Sequence, residues 1–468
     1  MNLTELFAGR PGAIFGLGYQ DPTLVGMYCL ALLILCVAIG MRVVFAVALI
    51  GMIGLTELIG FRSALGSIGQ IPYSKSVSFV LGLIPMFILI GYLAFHAGMT
   101  RQLFHAAKVW IGWVPGGMAV ATVFSAAGFA AVSGASVATT AVFARVAIPE
   151  MLKHGYERKL AAGVVAAGGT LASLIPPSAI LVIYAIIVEE SVGALLLAGF
   201  IPGILSALIY GAAIVLWAKM DPSLGPPVGG FGWGERIRSL GGVIPIAAVV
   251  VIIMSAMYFG WATPTEAGAL GAFVVLVVAI LNGMRVKGLK DALLETARLT
   301  AMIFALIWGV LIFARFLGFS GLPGAFAGWI SGLEANPYLI LLAILLAYVV
   351  LGMFLDAIGL LLLTLPVVYP AVIALNGGPF VSAEDSAFGV SGAHVGIWFG
   401  IIVVKMAEVC LITPPIGLNC FVVNGIRPDI PLQDVFRGVL RFFVIDLLTI
   451  ALIVFFPIIV IWLPDLMR

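Results

Sequence analysis

The sequence predicts an all-α integral membrane protein made of two inverted repeats, each with a re-entrant hairpin and a proline-broken helix. Three observations lead there. Of 468 residues, 63% are hydrophobic and only 9% charged, where soluble domains carry about 25% charged residues. Two proline doublets, Ile175-Pro176-Pro177-Ser178 and Thr413-Pro414-Pro415-Ile416-Gly417, interrupt long apolar stretches at matching places in the two halves. Lysine and arginine, finally, segregate to one side of the membrane once two further interrupted stretches are read as hairpins.

Proline lacks a backbone N–H and clashes with the preceding turn, so a doublet breaks a helix and frees carbonyls. Inside hydrocarbon, open backbone is tolerated only where it is buried in protein or lines a wet cavity. Paired broken helices in corresponding positions therefore point to the binding site of a secondary transporter. The 56 glycines and 25 prolines suit helices that pack closely and break often. Cys29, Cys36, Cys410 and Cys420 all fall in apolar segments, which predicts buried free thiols and no disulfide framework. Glu5 and Arg10 interrupt the first 22 residues, so these do not read as a cleavable signal peptide. No soluble domain, zinc-ligand spacing or low-complexity tail is legible, and nothing points to nucleic acid.

In chain order, residues 1–220 form the first repeat. Spans begin near Leu24, Val43 and Ser76, followed by a hairpin over 114–149, a broken helix over 160–188 and a last span over 194–218. A Gly/Pro-rich cytoplasmic linker occupies 221–240. The second repeat, 241–468, has spans beginning near Gly241, Glu266 and Leu299, a hairpin over 337–375, a broken helix over 395–424 and a span over 439–462. Small or polar residues interrupt the hairpins at mid-length. The tips read Ala131-Val132-Ser133-Gly134-Ala135-Ser136 and Gly352-Met353-Phe354-Leu355-Asp356-Ala357-Ile358-Gly359. In Trp261-Ala262-Thr263-Pro264-Thr265-Glu266, Thr263 or Thr265 caps the coming helix, Pro264 fits its first turn and Glu266 suits its dipole.

With both hairpins in place, 16 of the 23 Lys and Arg fall on the cytoplasmic side, among them Arg42, Arg101, Lys108, Lys153 and Arg158. Arg10, Arg62, Lys75 and Arg468 face outward, and Arg145, Arg315 and Lys405 fall at membrane depth. Counting either hairpin as a full span would scatter the bases over both sides. The first hairpin thus enters from the cytoplasm and the second from outside, which makes the repeats inverted. A faint echo supports this: Gly98 stands opposite Gly318 and Pro149 opposite Pro370, in similar local sequence.

The first tip combines the hydroxyls of Ser133, Ser136 and Thr139 with backbone that Gly134 leaves free to turn. Hard cations such as Na⁺ take oxygen ligands of this kind. Exposed helix N-termini at the breaks can hold a substrate carboxylate. The first break adds Pro176, Pro177 and Ser178. The second tip and break add Gly352, Asp356, Thr413, Pro414, Pro415, Gly417 and Asn419. Asp356, a carboxylate at a hairpin tip, is either a cation or coupling ligand or a helix cap. Lys405 and Glu408, three apart, are expected to neutralise each other. Arg145 and Arg315 either snorkel or steer an anion.

These residues resemble the large membrane subunit of TRAP (tripartite ATP-independent periplasmic) transporters. The resemblance is carried by Val132-Ser133-Gly134-Ala135-Ser136-Val137-Ala138-Thr139-Thr140, Ile148-Pro149-Glu150-Met151 and Ile175-Pro176-Pro177-Ser178. It continues through Ala262-Thr263-Pro264-Thr265-Glu266-Ala267-Gly268 and Leu411-Ile412-Thr413-Pro414-Pro415-Ile416-Gly417-Leu418-Asn419. The resemblance implies an elevator-type permease of the bacterial or archaeal cytoplasmic membrane, coupled to two or more Na⁺. It implies import of organic acids such as C4-dicarboxylates and sialic acids. Its partners would be a periplasmic substrate-binding protein and a separate small membrane subunit of four spans, beside the membrane lipids. It places one Na⁺ near Ser133, Gly134 and Ser136, and another near Asp356, Thr413 and the Pro414-Pro415 break. Ala135 departs from the family's usual second serine, Phe143-Ala144 from small residues, and Cys420 from an apolar residue.

Two other classes compete. A sodium–dicarboxylate elevator symporter would work without a binding protein. An intramembrane protease would need a histidine beside Ser133 or a second aspartate beside Asp356. His96, His105, His154 and His394 fall outside membrane depth, and Asp446 lies in the last span, outside the repeat core. Catalysis is therefore not expected.

Overall fold

The structure, a computed structural model, describes residue 12, residues 21–77 and residues 79–466. Glu5, Arg10 and Arg468 lie outside the described residues. Lipid offers no hydrogen bonds, so apolar segments must satisfy their backbones internally, and among the described residues every regular element is a helix.

Asp21 opens α1 (Pro22–Ala38): its carboxylate accepts from the Leu24 N–H at 3.1 Å, and Pro22 takes the first turn. Next come α2 (Val43–Ile59), α3 (Phe61–Ser76) and α4 (Leu83–His96), the last continuing a 3₁₀ turn at Phe79–Gly82. Helix α5 (Met99–Ile111) is strongly amphipathic, burying Met99, Leu103, Phe104 and Val109 while Arg101 and Gln102 face out. Helices α6 (Gly117–Ser133) and α7 (Ser136–Lys153) are joined by Gly134 and Ala135 alone. Residues 171–178, with the first proline doublet, separate α8 (Arg158–Thr170) from α9 (Ala179–Val188). The long α10 (Val192–Met220) ends the first half.

The linker carries one short helix, α11 (Trp233–Ser239), and straps the base of the α6/α7 pair. The Gly116 N–H donates to the Gly225 carbonyl at 2.9 Å and the Glu157 N–H to that of Leu224 at 3.0 Å. The Tyr156 hydroxyl accepts from the Met118 N–H at 3.0 Å, and burial pushes its phenol up to about 12.

In the second half, α12 (Ile244–Tyr258) precedes α13 (Pro264–Leu281). Thr263 caps α13 in a full capping box, its N–H donating to Glu266 Oε2 at 2.7 Å. Then follow α14 (Val286–Ser320), α15 (Leu322–Ser331), α16 (Pro337–Gly352) and α17 (Ala357–Leu375). The second break separates α18 (Gly392–Cys410) from α19 (Leu418–Ile426), and α20 (Leu432–Phe455) and α21 (Ile458–Asp465) close the chain.

Among the described residues seven helices are long and apolar enough to cross a bilayer. Six of these fall on the ten expected spans and the seventh, Ala357–Leu375, is an arm of the expected hairpin over 337–375; the other four expected spans fall short for a physical reason. The first break divides its span into pieces of 13 and 10 residues, α1 and α2 have 17 residues each, and the α11/α12 segment bends by 48°. Helix α18 stands apart: 94% of its apolar window is buried, against 39–56% for the other six. It is the axis of the bundle. All four cysteines are free and buried, as their apolar surroundings predict.

Packing between the halves is reciprocal. Helix α2 lies along α14 and α4 along α13, while α8 lies along α20 and α10 along α18 and α21. Glycines allow the closest approaches. A Cβ at Gly54 would overlap the Phe316 ring, and one at Gly438 would overlap the Lys159 carbonyl oxygen, with Gly163 Cα 3.2 Å away. Backbone cannot yield there as a flexible side chain does. Gly438→Ala is expected to cost about 1–3 kcal/mol and to lower the thermal unfolding midpoint in detergent. Gly425→Ala, which meets open space, is expected not to lower it. Equal midpoints would contradict this packing.

Candidate substrate and cation site

The turn between α6 and α7 depends on Gly134, which ends α6 at φ +58°. Only glycine takes this conformation without strain. A Cβ there would also collide with the Pro177 carbonyl oxygen, so the first tip sits directly on the first proline break. Helix α4 closes from another side: a Cβ on Gly91 would lie 2.7 Å from Ser133 Cα.

Hydroxyls stitch tip to break. Ser136 and Ser173 Oγ atoms are 2.5 Å apart, and the Ser178 hydroxyl donates to the Ser173 carbonyl while capping α9 through the Leu181 N–H. Within the tip, Ser133 Oγ lies 3.0 Å from Thr139 Oγ1, which donates to the Ala135 carbonyl at 3.0 Å. Ser133, Ser136, Thr139, Pro176, Pro177 and Ser178 are all buried, and the Pro176-Pro177 bond is cis. Ala135, the N-cap of α7, offers no side-chain acceptor. The first-turn N–H groups of α7 remain open for an anion.

A cavity of about 310 Å³ opens on this tip. Ser133, Ala135, Ala138, Val142 and Arg145 line it from the tip and one face of α7, opposite Gly91, Tyr92 and Phe95 of α4 and Glu295 and Leu299 of α14. The exposed Arg145 thus lies in the same cavity as the α7 N-terminus, and both favour negative charge. The sequence leaves Arg145 between snorkelling and steering an anion, and Ser173 carries no signal of its own. The legible signal for Arg145 was its helical spacing from Ala135, Ala138 and Val142. Arg315 is exposed on α14 and does not line this cavity. His96 pairs with Glu295 at 3.2 Å.

The second tip and break are built differently. Gly352 packs so tightly on α18 that a Cβ would overlap Cys410 Sγ. Asp356, exposed, caps α17: Oδ2 accepts from the Gly359 N–H at 3.2 Å. Thr413 turns its hydroxyl back to the Val409 carbonyl at 2.6 Å. Pro414 and Pro415, again cis, are exposed with Ile416, and Gly417 starts α19 at φ +42°. No hydrogen bond among the described residues joins Asp356 to Ser133, Ser136 or Thr413.

Asn419, just after the second break, reaches the helix that leads into the first break. Its Nδ2 donates to the Ala166 carbonyl of α8 at 3.1 Å, while its buried Oδ1 has no hydrogen-bond partner among the described residues. Thr140 Oγ1 is likewise buried and unpartnered, and it lies against Gly169 of the same helix. Buried oxygens rarely go unpaired.

At the end of α18, Lys405 meets Glu408 at 2.7 Å, as the spacing predicts, and also Asp446 of α20 at 2.8 Å. Asp446, expected outside the repeat core, is therefore part of the central helix's charge cluster. Glu57, in α2, is a further fully buried carboxylate that the sequence reading did not single out.

The family profile described as "Tripartite ATP-independent periplasmic transporter, DctM component" matches residues 27–459. The chain is 33% identical over 398 residues to the C4-dicarboxylate TRAP transporter large permease protein of Pseudomonas aeruginosa, covering 84% of this chain and 88% of that one. It is 30% identical over 391 residues to the sialic acid TRAP transporter large permease protein of Vibrio cholerae, with 83% and 87% covered. Among solved structures it resembles the Alcanivorax borkumensis YdaH transporter at a TM-score of 0.54 and 13% identity, covering 93% and 97%. That likeness extends to the fold alone.

Gly134→Ala drives a methyl group into the Pro177 carbonyl and is expected to cost about 1–3 kcal/mol, with a lowered unfolding midpoint. Ala135→Ser, one residue on, is expected to leave the midpoint unchanged. A stable Gly134→Ala protein would contradict the contact between tip and break.

Proposed function

Because the chain belongs to the DctM family of TRAP transporter large permease subunits, a family of transport subunits and not of enzymes, we propose that it imports organic acids driven by Na⁺. In this reading it works in the cytoplasmic membrane with a small four-span subunit and a periplasmic binding protein that delivers the acid. The carrying observation is the cavity at the first tip, where Ser133, the open N-terminus of α7 and Arg145 converge. A carboxylate is the ligand this chemistry fits: backbone N–H groups and the helix dipole take one end, and a guanidinium takes the other.

Na⁺ would be held by the oxygens at the two breaks. Ser133 and Ser136 serve the first site; Asp356 and Thr413 serve the second. The unpartnered Asn419 Oδ1 and Thr140 Oγ1 support cation binding between α7, α8 and α19. Gly134, Thr139, Pro176, Pro177, Ser178, Gly352, Pro414, Pro415 and Gly417 shape the two cradles. The reciprocal packing between halves supports two inverted repeats and an elevator motion of hairpins and broken helices against the outer helices.

The test is uptake of labelled organic acids into liposomes holding this chain and its small partner. The runs are made with and without an inward Na⁺ gradient, and with and without the binding protein. The proposal predicts uptake only when both are present. Uptake on Na⁺ alone would support a stand-alone symporter instead. Within the same assay, Ser133→Ala and Asp356→Asn are each expected to raise the Na⁺ concentration for half-maximal uptake about tenfold, the worth of one lost ligand interaction. Unchanged Na⁺ activation in both variants would remove these residues from the cation sites.

A further inference from the structure

The charge cluster on α18 does not balance. Lys405, Glu408 and Asp446 are all fully buried, and one ammonium faces two carboxylates. Lys405 Nζ lies 2.7 Å from Glu408 Oε2 and 2.8 Å from Asp446 Oδ1. The Tyr210 hydroxyl of α10 donates to Asp446, 2.7 and 2.8 Å from its two oxygens, and the Tyr210 ring lies 5.7 Å from the ammonium. Glu408 Oε1 is buried and has no hydrogen-bond partner among the described residues.

Among the described residues no other charge reaches the cluster. Helices α9, α10, α16, α17, α20 and α21 pack on α18. From α9 the Tyr184 hydroxyl bonds the Gly396 carbonyl, and from α16 the Tyr348 carbonyl faces Cys410. Tyr369 of α17 bonds Glu190 beside Gly396, and Asp465 of α21 pairs with His394. Among these, only Tyr210 and Asp446 touch the Lys405–Glu408 pair.

An uncompensated charge in this interior is costly, and a bare buried carboxylate oxygen adds to that cost. A carboxylate keeps its charge where donors hold it. Asp446 has two such donors and Glu408 has one, so the surplus proton belongs on Glu408.

We propose that Glu408 is a proton-binding site of this protein, occupied at neutral pH, and that the bound proton makes the Lys405–Glu408–Asp446–Tyr210 cluster electrically neutral. This site is separate from the cation and carboxylate sites above and independent of that reading. It lies on the helix that leads into the second proline break, five residues before Thr413. Loss of the proton would leave a net negative charge on the most buried helix of the bundle, so α18 is held in its present packing only while Glu408 is protonated.

Infrared spectroscopy of the full chain in lipid nanodiscs tests this through the carbonyl stretch of a protonated carboxylic acid. At pH 7 the unmodified protein is expected to show this band. Glu408→Gln, nearly isosteric, is expected to lose one carboxyl's share of it. Asp446→Asn is expected to lose the same share, because Lys405 alone then balances an ionised Glu408. A band unchanged in Glu408→Gln would overturn the proposal, and so would an Asp446→Asn protein that keeps the Glu408 band.

Discussion

The contact between Gly134 and the Pro177 carbonyl is the point on which the rest of the site depends. It requires two things that are unfavourable separately: a left-handed backbone at a helix end and a helix broken inside an apolar core. Together they become compatible. The glycine removes the atom that would hold tip and break apart, and the break supplies the carbonyl and hydroxyls that the tip faces. Ser136, Ser173 and Ser178 then satisfy one another instead of remaining as buried unpaired groups. The cavity at Ser133 and the open N-terminus of α7 follow from this one close approach.

The second tip and break use the same parts with the opposite exposure. Pro176 and Pro177 are buried, whereas Pro414, Pro415 and Asp356 are exposed. Asn419, just after the second break, bonds the α8 backbone at Ala166, five residues before the first break. The buried α18 sits between, and its charged end ties α20 and α10 to the same region.

Much of this was legible in the sequence because it is written in local signals. Proline doublets, a Ser-Gly-Ala-Ser turn and a Thr-Pro-Thr-Glu capping box each declare a backbone conformation within a few residues. The Lys405–Glu408 pair was legible for the same reason, being one helical turn. What was not legible depends on distant chain segments. Asp446 reaches Lys405 from another helix, and no periodicity announces a partner 41 residues away. Ser173 carries no local signal, because its role appears only when the first tip docks on it. The span count differed because hydropathy does not report where a long apolar run is cut into short helices. For Asp356 the sequence left two roles open, and the geometry in hand is the cap.

The central claim is that the first tip and the first break form one cradle, and the most direct measurement is a cross-link across it. Ser136→Cys and Ser173→Cys would be combined in a chain whose four native cysteines are replaced, and oxidised in native membranes. With the two Oγ atoms 2.5 Å apart, the account predicts a near-complete intramolecular disulfide between residues 136 and 173. A Ser133→Cys and Ser173→Cys pair, whose hydroxyls do not bond, would cross-link far less. Equal or absent cross-linking at residues 136 and 173 would contradict the cradle and the site built upon it.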